Sequence, residues 1–392
     1  MDASGTPNQV TPPDHKLRRL RELALNFLKI GATAFGGPPA HIAMMEEEFV
    51  GRRGWLDHQR FLDLIGAVNL LPGPNSTELA LYIGLLRAGW LGLMVAGVAF
   101  ILPSAALVLA LAWAYMRFGA LPQVAGVLYG TKPVVIVVVV QALWVLGRTA
   151  IKSRLLTAVV LLDLALLLAG VHAVVLLLGT GIVLVAARWW QNRGQAAPRA
   201  APSLALFATG STTVAGISVA ALFFYFMKVG VLLFGSGFLL LAFLRADLVA
   251  KAHWLTETQL LDAIAVSQAT PGPLSTVATF IGYVLAGWPG AVSATTGVFL
   301  PAFLLVAMSG WMIPRLRQSR LTGAFLDGVN AAALALMAAV TWQLGRASVI
   351  DIPTVGLAIV SAVLLFRFRV NSAWLMLGGA TIGLAGSLLR GH

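Results

Sequence analysis

The stretches Pro72-Gly73-Pro74-Asn75-Ser76-Thr77 and Pro271-Gly272-Pro273-Leu274-Ser275-Thr276 decide the fold of this chain, because they are two copies of one helix break. They lie 199 positions apart, and at the same spacing Phe27-Leu28-Lys29-Ile30-Gly31 returns as Phe226-Met227-Lys228-Val229-Gly230. Beyond one deleted residue the spacing becomes 198, and Gly147-Arg148 returns as Gly345-Arg346. A duplicated unit with helix breakers at matching places is typical of secondary transporters.

The composition indicates a helical membrane protein. Of the 392 residues 59% are hydrophobic and 11% charged, whereas soluble domains carry about 25% charged residues. The apolar runs are long and continuous, which excludes an outer-membrane barrel of short alternating strands. The net charge of +12 comes from basic residues between the apolar runs, where the positive-inside rule expects them, so we predict no nucleic-acid partner. The chain has no cysteine, which excludes disulfides and thiolate metal sites.

The repeat predicts four regions: a cytoplasmic tail at 1–20, a first transmembrane repeat at 21–190, a linker at 191–221 and a second repeat at 222–392. The apolar part of the linker, 203–221, has no counterpart before the first half. With spans near 21–40 and 61–86, which put Arg53 outside and Arg87 inside, the lysines and arginines in the loops divide 18 inside to 6 outside if this segment crosses the membrane, and 13 to 11 if it does not. We therefore predict an all-α protein of about 13 transmembrane helices, built as two inverted halves with broken helices. The bilayer expected around it is a bacterial-type cytoplasmic (inner) membrane, with the N-terminus inside.

Lys29 and Lys228 occupy the same point of each repeat, inside an apolar run. A charge within a span costs about 2.5–3.5 kcal/mol on insertion scales and usually faces a cavity or a partner. The alternative is that each lysine lies near a helix end and reaches the lipid headgroups. Identical placement in both halves favours a shared site, and two cations favour an anionic substrate.

Glycine breaks follow both lysines. Gly36 and Gly37 precede two prolines, and Gly235 and Gly237 stand at the matching place. Unwound backbone at membrane depth is tolerated where it lines a cavity or is covered by protein. Close helix packing through small residues is the alternative.

The two Pro-Gly-Pro breaks predict half-helices that begin within the membrane. The prolines Pro72, Pro74, Pro271 and Pro273 remove amide donors, and Gly73 and Gly272 lie between them. Free amides and hydroxyls at a helix N-terminus form an anion site; a purely structural kink is the alternative. The predicted substrate contacts around these breaks are Lys29, Lys228, Asn69, Gln268, Asn75, Ser76, Thr77, Ser275 and Thr276.

Glu78 is a carboxylate within the apolar part of the second span, and it has no counterpart in the other half. It is a candidate for carrying a coupling proton; pairing with Lys29 or capping the half-helix are the alternatives. The matched Asp63 and Asp262 are expected to cap or anchor span entrances. No catalytic residue, metal ligand set or cofactor site is predicted: the histidines do not cluster, and a nucleotide-binding loop is absent from the sequence.

At these residues the chain resembles the long, two-domain form of the chromate ion transporter (CHR) family. The resemblance rests on the Phe-Leu-Lys-Ile-Gly segment, on Trp55-Leu56, on the Pro-Gly-Pro breaks and on the run Thr279-Phe280-Ile281-Gly282-Tyr283. It implies export of chromate from the cytoplasm and chromate resistance, with sulfate as the expected competitor. The chain departs from the usual pattern in having Pro38-Pro39 after its first glycine pair.

The expected function is therefore a secondary oxyanion transporter, driven by membrane potential, proton exchange or both, and not an enzyme. Transport of sulfate or another tetrahedral oxyanion, by uptake or exchange, is the first alternative. A membrane-embedded enzyme acting on an anionic lipid and a passive anion channel are the others. A homodimer is compatible with the sequence.

Overall fold

The computed structural model describes residues 13–191, 218–234, 237–318 and 320–390, and every regular element in these ranges is helical. The helices of the first half are α1 (Pro13–Thr33), α2 (Pro38–Glu46), α3 (His58–Val68), α4 (Asn75–Phe118), α5 (Pro122–Ala150), α6 (Arg154–Leu168) and α7 (Ala173–Gln191). Those of the second half are α8 (Val219–Leu232), α9 (Leu239–Leu244), α10 (Glu257–Ala269), α11 (Val277–Gln318), α12 (Arg320–Ser348), α13 (Ile352–Phe366) and α14 (Ser372–Arg390). The same order of long, short and broken helices thus occurs twice.

The prediction of an all-α membrane protein is confirmed at this level. Within the described ranges, six helices are long and apolar enough to cross a bilayer, and shorter apolar helices accompany them. The segment predicted to cross at 203–221 lies outside the described residues up to 217. Residues 218–221 belong to the start of α8, where the Ser218 hydroxyl accepts a hydrogen bond from the Ala221 amide.

The helices α4 and α11 are each bent back on themselves into a hairpin. Ala88 and Gly89 leave the helical conformation, and Gly89 has a φ of +64°, which favours glycine. A Cβ on Gly92 would lie 2.1 Å from the carbonyl oxygen of Gly84, a separation impossible along one straight helix. A half-helix at 75–87 therefore returns against a long helix at 90–118, and Ala286 and Gly287 make the same turn between 277–285 and 288–318.

In the first half, the chain twice runs inward and turns back, and both times it returns to the same end. Arg87 lies 3.6 Å from the Glu22 carboxylate and 4.6 Å from the centre of the Trp55 ring, so these three residues mark a single place. Between them, the rings of Phe27 and Phe49 lie 5.0 Å apart, which pairs α1 with the outgoing segment after α2. We call this place the entry end of the first half.

This arrangement corrects two sequence-based expectations. The runs at 21–40 and 61–86 were each expected to cross the membrane with a break along the way, but at each break the chain turns back and its continuation returns to the entry end. The count of basic residues also assigned Arg53 and Arg87 to opposite faces of the membrane, whereas both guanidinium groups lie over the same Trp55 ring. Hydropathy reports that a segment is apolar and does not report whether it continues or returns.

The second half repeats the pattern around its own entry end. The Ser293 hydroxyl donates to the Val219 carbonyl at 2.6 Å, which joins the start of α8 to the start of the long part of α11. The Lys228 ammonium lies 3.6 Å from Asp247, in the segment that follows α9. The entry end of the second half is therefore marked by Val219, Gly287 and Ser293.

The long helices interlock the two halves. α5 packs against α13 and α14, and α12 packs against α6 and α7. Backbones approach closely at glycines: a Cβ on Gly130 would lie 2.0 Å from the Gly379 carbonyl oxygen, and one on Gly328 would lie 2.7 Å from the Thr180 oxygen. Small residues at such crossings let membrane helices pack through their backbones.

Candidate functional site

The four backbone breaks of the two halves are joined in crossed pairs. The Gly73 amide donates to the carbonyl of Leu233 at 2.6 Å, and the Gly272 amide donates to the carbonyl of Ala34 at 2.9 Å. Ala34 and Leu233 directly follow α1 and α8. Each Pro-Gly-Pro break of one half thus closes on the glycine break of the other half, and both breaks belong to one site.

The glycines in these breaks are required by their conformation and by close neighbours. Gly73 and Gly272 have φ values of +156° and +96°, and L residues rarely adopt such values. A Cβ on Gly73 would lie 2.4 Å from a carboxyl oxygen of Glu78, and one on Gly272 would lie 2.6 Å from the Cβ of Ser104. The prolines beside them cannot donate to a helix, so the half-helices begin only after Pro74 and Pro273.

The hydroxyls at the starts of both half-helices are buried. Ser76 and Thr77 are 2% and 0% exposed, and Ser275 and Thr276 are 1% and 0% exposed. Several buried polar atoms around the breaks have no hydrogen-bond partner among the described residues: Thr77 Oγ1, Ser275 Oγ, Ser267 Oγ, Gln268 Nε2 and Asn75 Oδ1. Buried polar atoms are normally paired, so a cluster of unpaired ones indicates a place that receives a polar ligand.

The remaining predicted contacts are distributed as follows. The Asn75 side chain donates to Asn69 Oδ1 at 2.8 Å, which holds two of the predicted residues together. A Cβ on Gly237 would lie 3.9 Å from Ser275 Oγ, so the second glycine break borders the second half-helix. Gly36 and Gly37 have φ values of +107° and +73° between α1 and α2, and Gly235 lies outside the described residues.

Ser104 belongs to the site although it was not among the predicted residues. It is fully buried on the long part of α4, and its hydroxyl lies 3.0 Å from that of Thr276. Thr276 donates to the Pro273 carbonyl at 2.9 Å, so Ser104 donates to Thr276. Its partner lies 172 positions away, and sequence alone offered no signal for this contact.

Glu78 is fully buried in the first turn of its half-helix. Neither carboxyl oxygen has a hydrogen-bond partner, and no ion pair to Glu78 is found within the described ranges. The pairing with Lys29 that the sequence left open is therefore not present. An isolated charged carboxylate in such surroundings costs several kcal/mol, so this position suits a group that binds and releases a proton.

The two matched lysines lie outside this buried cluster. Lys29 is exposed on α1, and the Lys228 side chain is 46% exposed and pairs with Asp247 of its own half. They flank the breaks by one to two helical turns in sequence, and the structure does not bring them to the unpaired hydroxyls.

A largely buried cation is found elsewhere, at Lys132 of α5. Its ammonium lies 2.9 Å from Asp262 of α10, with side-chain exposures of 17% and 4%. Tyr115 donates to the other carboxylate oxygen at 3.0 Å. Asp262 was expected to cap a span entrance; the Thr256 side chain caps α10 instead. The signal for Lys132 was available, because it is a lysine within an apolar run.

Comparison with known proteins identifies the family. The chromate transporter family matches residues 21–186 and 220–384, one match per half. A chromate transport protein of Cupriavidus metallidurans is 33% identical over 379 residues, which cover 95% of this chain and 94% of that protein. One of Pseudomonas aeruginosa is 32% identical over 387 residues, covering 94% and 92%. No solved structure matches the chain. The chain therefore belongs to the chromate transporter family, as the resemblance predicted.

Proposed function

We propose that this protein is a secondary transporter that exports chromate from the cytoplasm and thereby confers chromate resistance. The observation that carries the proposal is the crossed pair of Pro-Gly-Pro breaks, which gather buried and unpaired polar atoms where both halves meet. The names of the relatives, which are transport proteins, support a transporter and not an enzyme.

The chemistry of the breaks fits a tetrahedral oxyanion. Half-helices begin after both breaks, so the positive ends of two helix dipoles and their free amides are directed at the site. Hydroxyls of Thr77 and Ser275 and the amide of Gln268 add donors without partners. Lys29 and Lys228 keep the role of substrate contacts in this proposal, reached when the helices beside the breaks move.

Contacts between the halves support an inverted arrangement. The long part of α4 leads away from the first entry end; along it, Ser104 contacts Thr276, and further on the Tyr115 ring lies 5.2 Å from Phe280. Residues 276 to 280 lead from the second break towards the second entry end. The two entry ends therefore lie at opposite faces of the membrane in this proposal, as in other transporters with inverted repeats.

The charge distribution supports a cytoplasmic N-terminus. Asp327 of α12 lies 3.1 Å from Lys152 and 3.4 Å from Arg188, which brings the ends of α5 and α7 together. In this proposal they lie at the same face as the first entry end. The basic residues assigned to this face are Lys16, Arg18, Arg19, Arg21, Arg52, Arg53, Arg60, Arg87, Arg148, Lys152, Arg154 and Arg188. The opposite face has Arg117, Arg245, Lys251 and Arg346. The richer face is the cytoplasmic one by the positive-inside rule, which supports an inner-membrane location. Because the two entry ends lie at opposite faces in this proposal, the number of crossings is odd, and it is smaller than the expected 13 because the broken segments turn back.

Export is favoured by the membrane potential. Moving one charge through 100 mV is worth about 2.3 kcal/mol, so expelling a dianion from a negative interior gains about 4.6 kcal/mol. Glu78 offers a second source of energy, because its buried carboxyl adjoins the first break and would take up a proton as the anion leaves. We therefore propose coupling to membrane potential, to proton exchange, or to both, by alternating access.

The main alternative is sulfate or another tetrahedral oxyanion as substrate, since these have the same shape and charge as chromate. A passive anion channel differs in lacking counterflow. An enzyme acting on an anionic lipid would need an acid–base or metal constellation; among the described residues, no group of three metal-ligating side chains is present.

Chromate flux into everted vesicles tests the proposal, with sulfate in excess as competitor. Replacing Thr77 by Val removes one donor to a charged ligand, worth about 1.5–3 kcal/mol, so KM should rise about ten- to a hundredfold. Thr341→Val is the matched control, because that buried hydroxyl bonds only within its own helix. Lys29→Ala and Lys228→Ala test whether the lysines act on the substrate, and Glu78→Gln should abolish the response to a pH gradient.

The outcomes separate the alternatives. Equal KM values for Thr77→Val and Thr341→Val would refute the site at the breaks. Flux of sulfate without flux of chromate would establish the main alternative. Loss of transport in Glu78→Gln under a membrane potential alone would contradict a role confined to proton coupling.

A further inference from the structure

We propose that the buried Lys132–Asp262 ion pair, together with Tyr115, is the gate that closes the path at the second entry end, and that a departing oxyanion opens it by replacing Asp262 beside the Lys132 ammonium. This inference rests on the proposed transport function; the difference in packing between the matched helices α3 and α10 is observed independently of it.

The matched helices α3 and α10 differ in burial. Leu62 of α3 is 44% exposed, whereas its counterpart Leu261 of α10 is 1% exposed. Gly66 is exposed, and its counterpart Ala265 is 2% exposed. Because the two helices are copies of one unit, this difference in burial reflects their position in the protein and not their amino-acid composition.

The neighbours of the two helices explain the difference. α10 packs against α5 and α12, the long helices that interlock the halves, while α3 packs mainly against α4. α9 likewise packs against α12, and its six residues are all buried. The second half is therefore closed against the long helices, and the matching surface of the first half is open.

The ion pair lies at this closed contact. Lys132 reaches Asp262 from α5 and Tyr115 reaches it from α4, so one carboxylate ties α10 to two helices of the other half. The second-half residues matched to Lys132 and Tyr115 are Asn330 and Ile313. The lysine and the tyrosine are therefore not repeated at the matching positions of the second half.

A dianion is a suitable competitor for the carboxylate. A buried ammonium requires an anionic partner, because leaving it alone is costly. A tetrahedral oxyanion that arrives from the breaks supplies that partner with greater charge than Asp262, and releases α10 from α5. The chemistry recognised here is that of a doubly charged oxyanion, whichever element stands at its centre.

The absence of native cysteines permits a direct test by labelling. Single cysteines are introduced as Ala265→Cys and, as the matched control, Gly66→Cys, and are labelled with a membrane-impermeant maleimide in everted and right-side-out vesicles. We expect G66C to react from the cytoplasmic face and A265C to be protected from both faces. Adding Lys132→Gln or Asp262→Asn should raise labelling of A265C from the outer face by about tenfold, which corresponds to 1.4 kcal/mol.

A charge-swapped variant separates ion pairing from simple packing. Lys132→Asp combined with Asp262→Lys keeps the pair but moves the ammonium to α10, so A265C should again be protected from labelling. Chromate added to the pair-intact protein should raise A265C labelling in the same direction as Asp262→Asn.

Three results would overturn the proposal. A265C as reactive as G66C would mean that the second end is not closed, and unchanged labelling in Lys132→Gln would mean that the pair does not close it. Labelling that responds to Lys132→Gln but to neither chromate nor sulfate would refute opening by an oxyanion. Failure of the proposed function is distinguishable from these results: the unaltered protein would show no chromate flux, whatever the labelling pattern.

Discussion

The tight turn at Gly272 provides the sharpest prediction, because this residue joins the second break to the end of α1. Its φ is +96°, and a Cβ would lie 2.6 Å from the Cβ of Ser104 and 3.1 Å from the carbonyl oxygen of Gly31. An L side chain at positive φ costs about 1–2 kcal/mol, and overpacking a well-filled site costs about 1–3 kcal/mol. Gly272→Ala should therefore destabilise the protein by about 2–5 kcal/mol.

The damage should also reach the site, because any shift of Gly272 lengthens its 2.9 Å hydrogen bond to Ala34. Thermal unfolding in detergent, followed by tryptophan fluorescence, measures the first effect, and chromate flux in vesicles measures the second. Gly356→Ala is the control: apart from the adjoining backbone of α13, no atom lies within 4 Å of the added methyl group, and removing a helix glycine should stabilise by about 0.5–1 kcal/mol.

A second substitution tests the cause. Ser104→Gly removes the closest neighbour of the new methyl group. The double variant should therefore regain the stability lost to overpacking, but not the stability lost to the positive φ. If Gly272→Ala unfolds at the same temperature as the unaltered protein, or if Ser104→Gly restores no stability, the close contact with Ser104 is not the reason for glycine at position 272.

Two further pairs of substitutions follow from the packing. Gly379→Ala places a methyl group 2.5 Å from a carbonyl oxygen of α5 and should destabilise the protein by about 1–3 kcal/mol. Gly378→Ala, at the next position, meets open space and should be neutral or stabilising. The unfolding temperatures of the two variants measure the difference. Leu261→Ala removes a side chain that is 1% exposed and should cost about 2–5 kcal/mol, against at most about 0.5 kcal/mol for Leu62→Ala. Equal losses for Leu261→Ala and Leu62→Ala would contradict the asymmetry between α10 and α3.

The predictable parts of the site are those that depend only on residues close together in the sequence. Pro72, Pro74, Pro271 and Pro273 interrupt a helix wherever they stand, because they lack the amide donor. The hydroxyls that follow them lie at half-helix starts for the same reason, and their burial follows from the apolar runs around them.

The parts that were not predictable depend on contacts between distant segments. Lys29 and Lys228 were expected to share a substrate site; in the structure Lys29 is exposed and Lys228 pairs with Asp247. Lys132 and Asp262 lie 130 positions apart and meet because α5 of one half packs on α10 of the other. A lysine in an apolar run needs a partner, but hydropathy does not name the partner.

The sequence by itself determined that this is a helical membrane protein, that it is built from two copies of one unit, and which family it belongs to. These properties follow from composition, repetition and helix breakers, each of which acts within a few residues. Only the tertiary structure decided that the broken segments return to their entry end, that the breaks pair across the halves, and that α10 is closed while α3 is open. The physical reason is that an apolar helix end within a membrane must find its hydrogen-bond partners in the rest of the protein, and which partners it finds depends on how both halves pack.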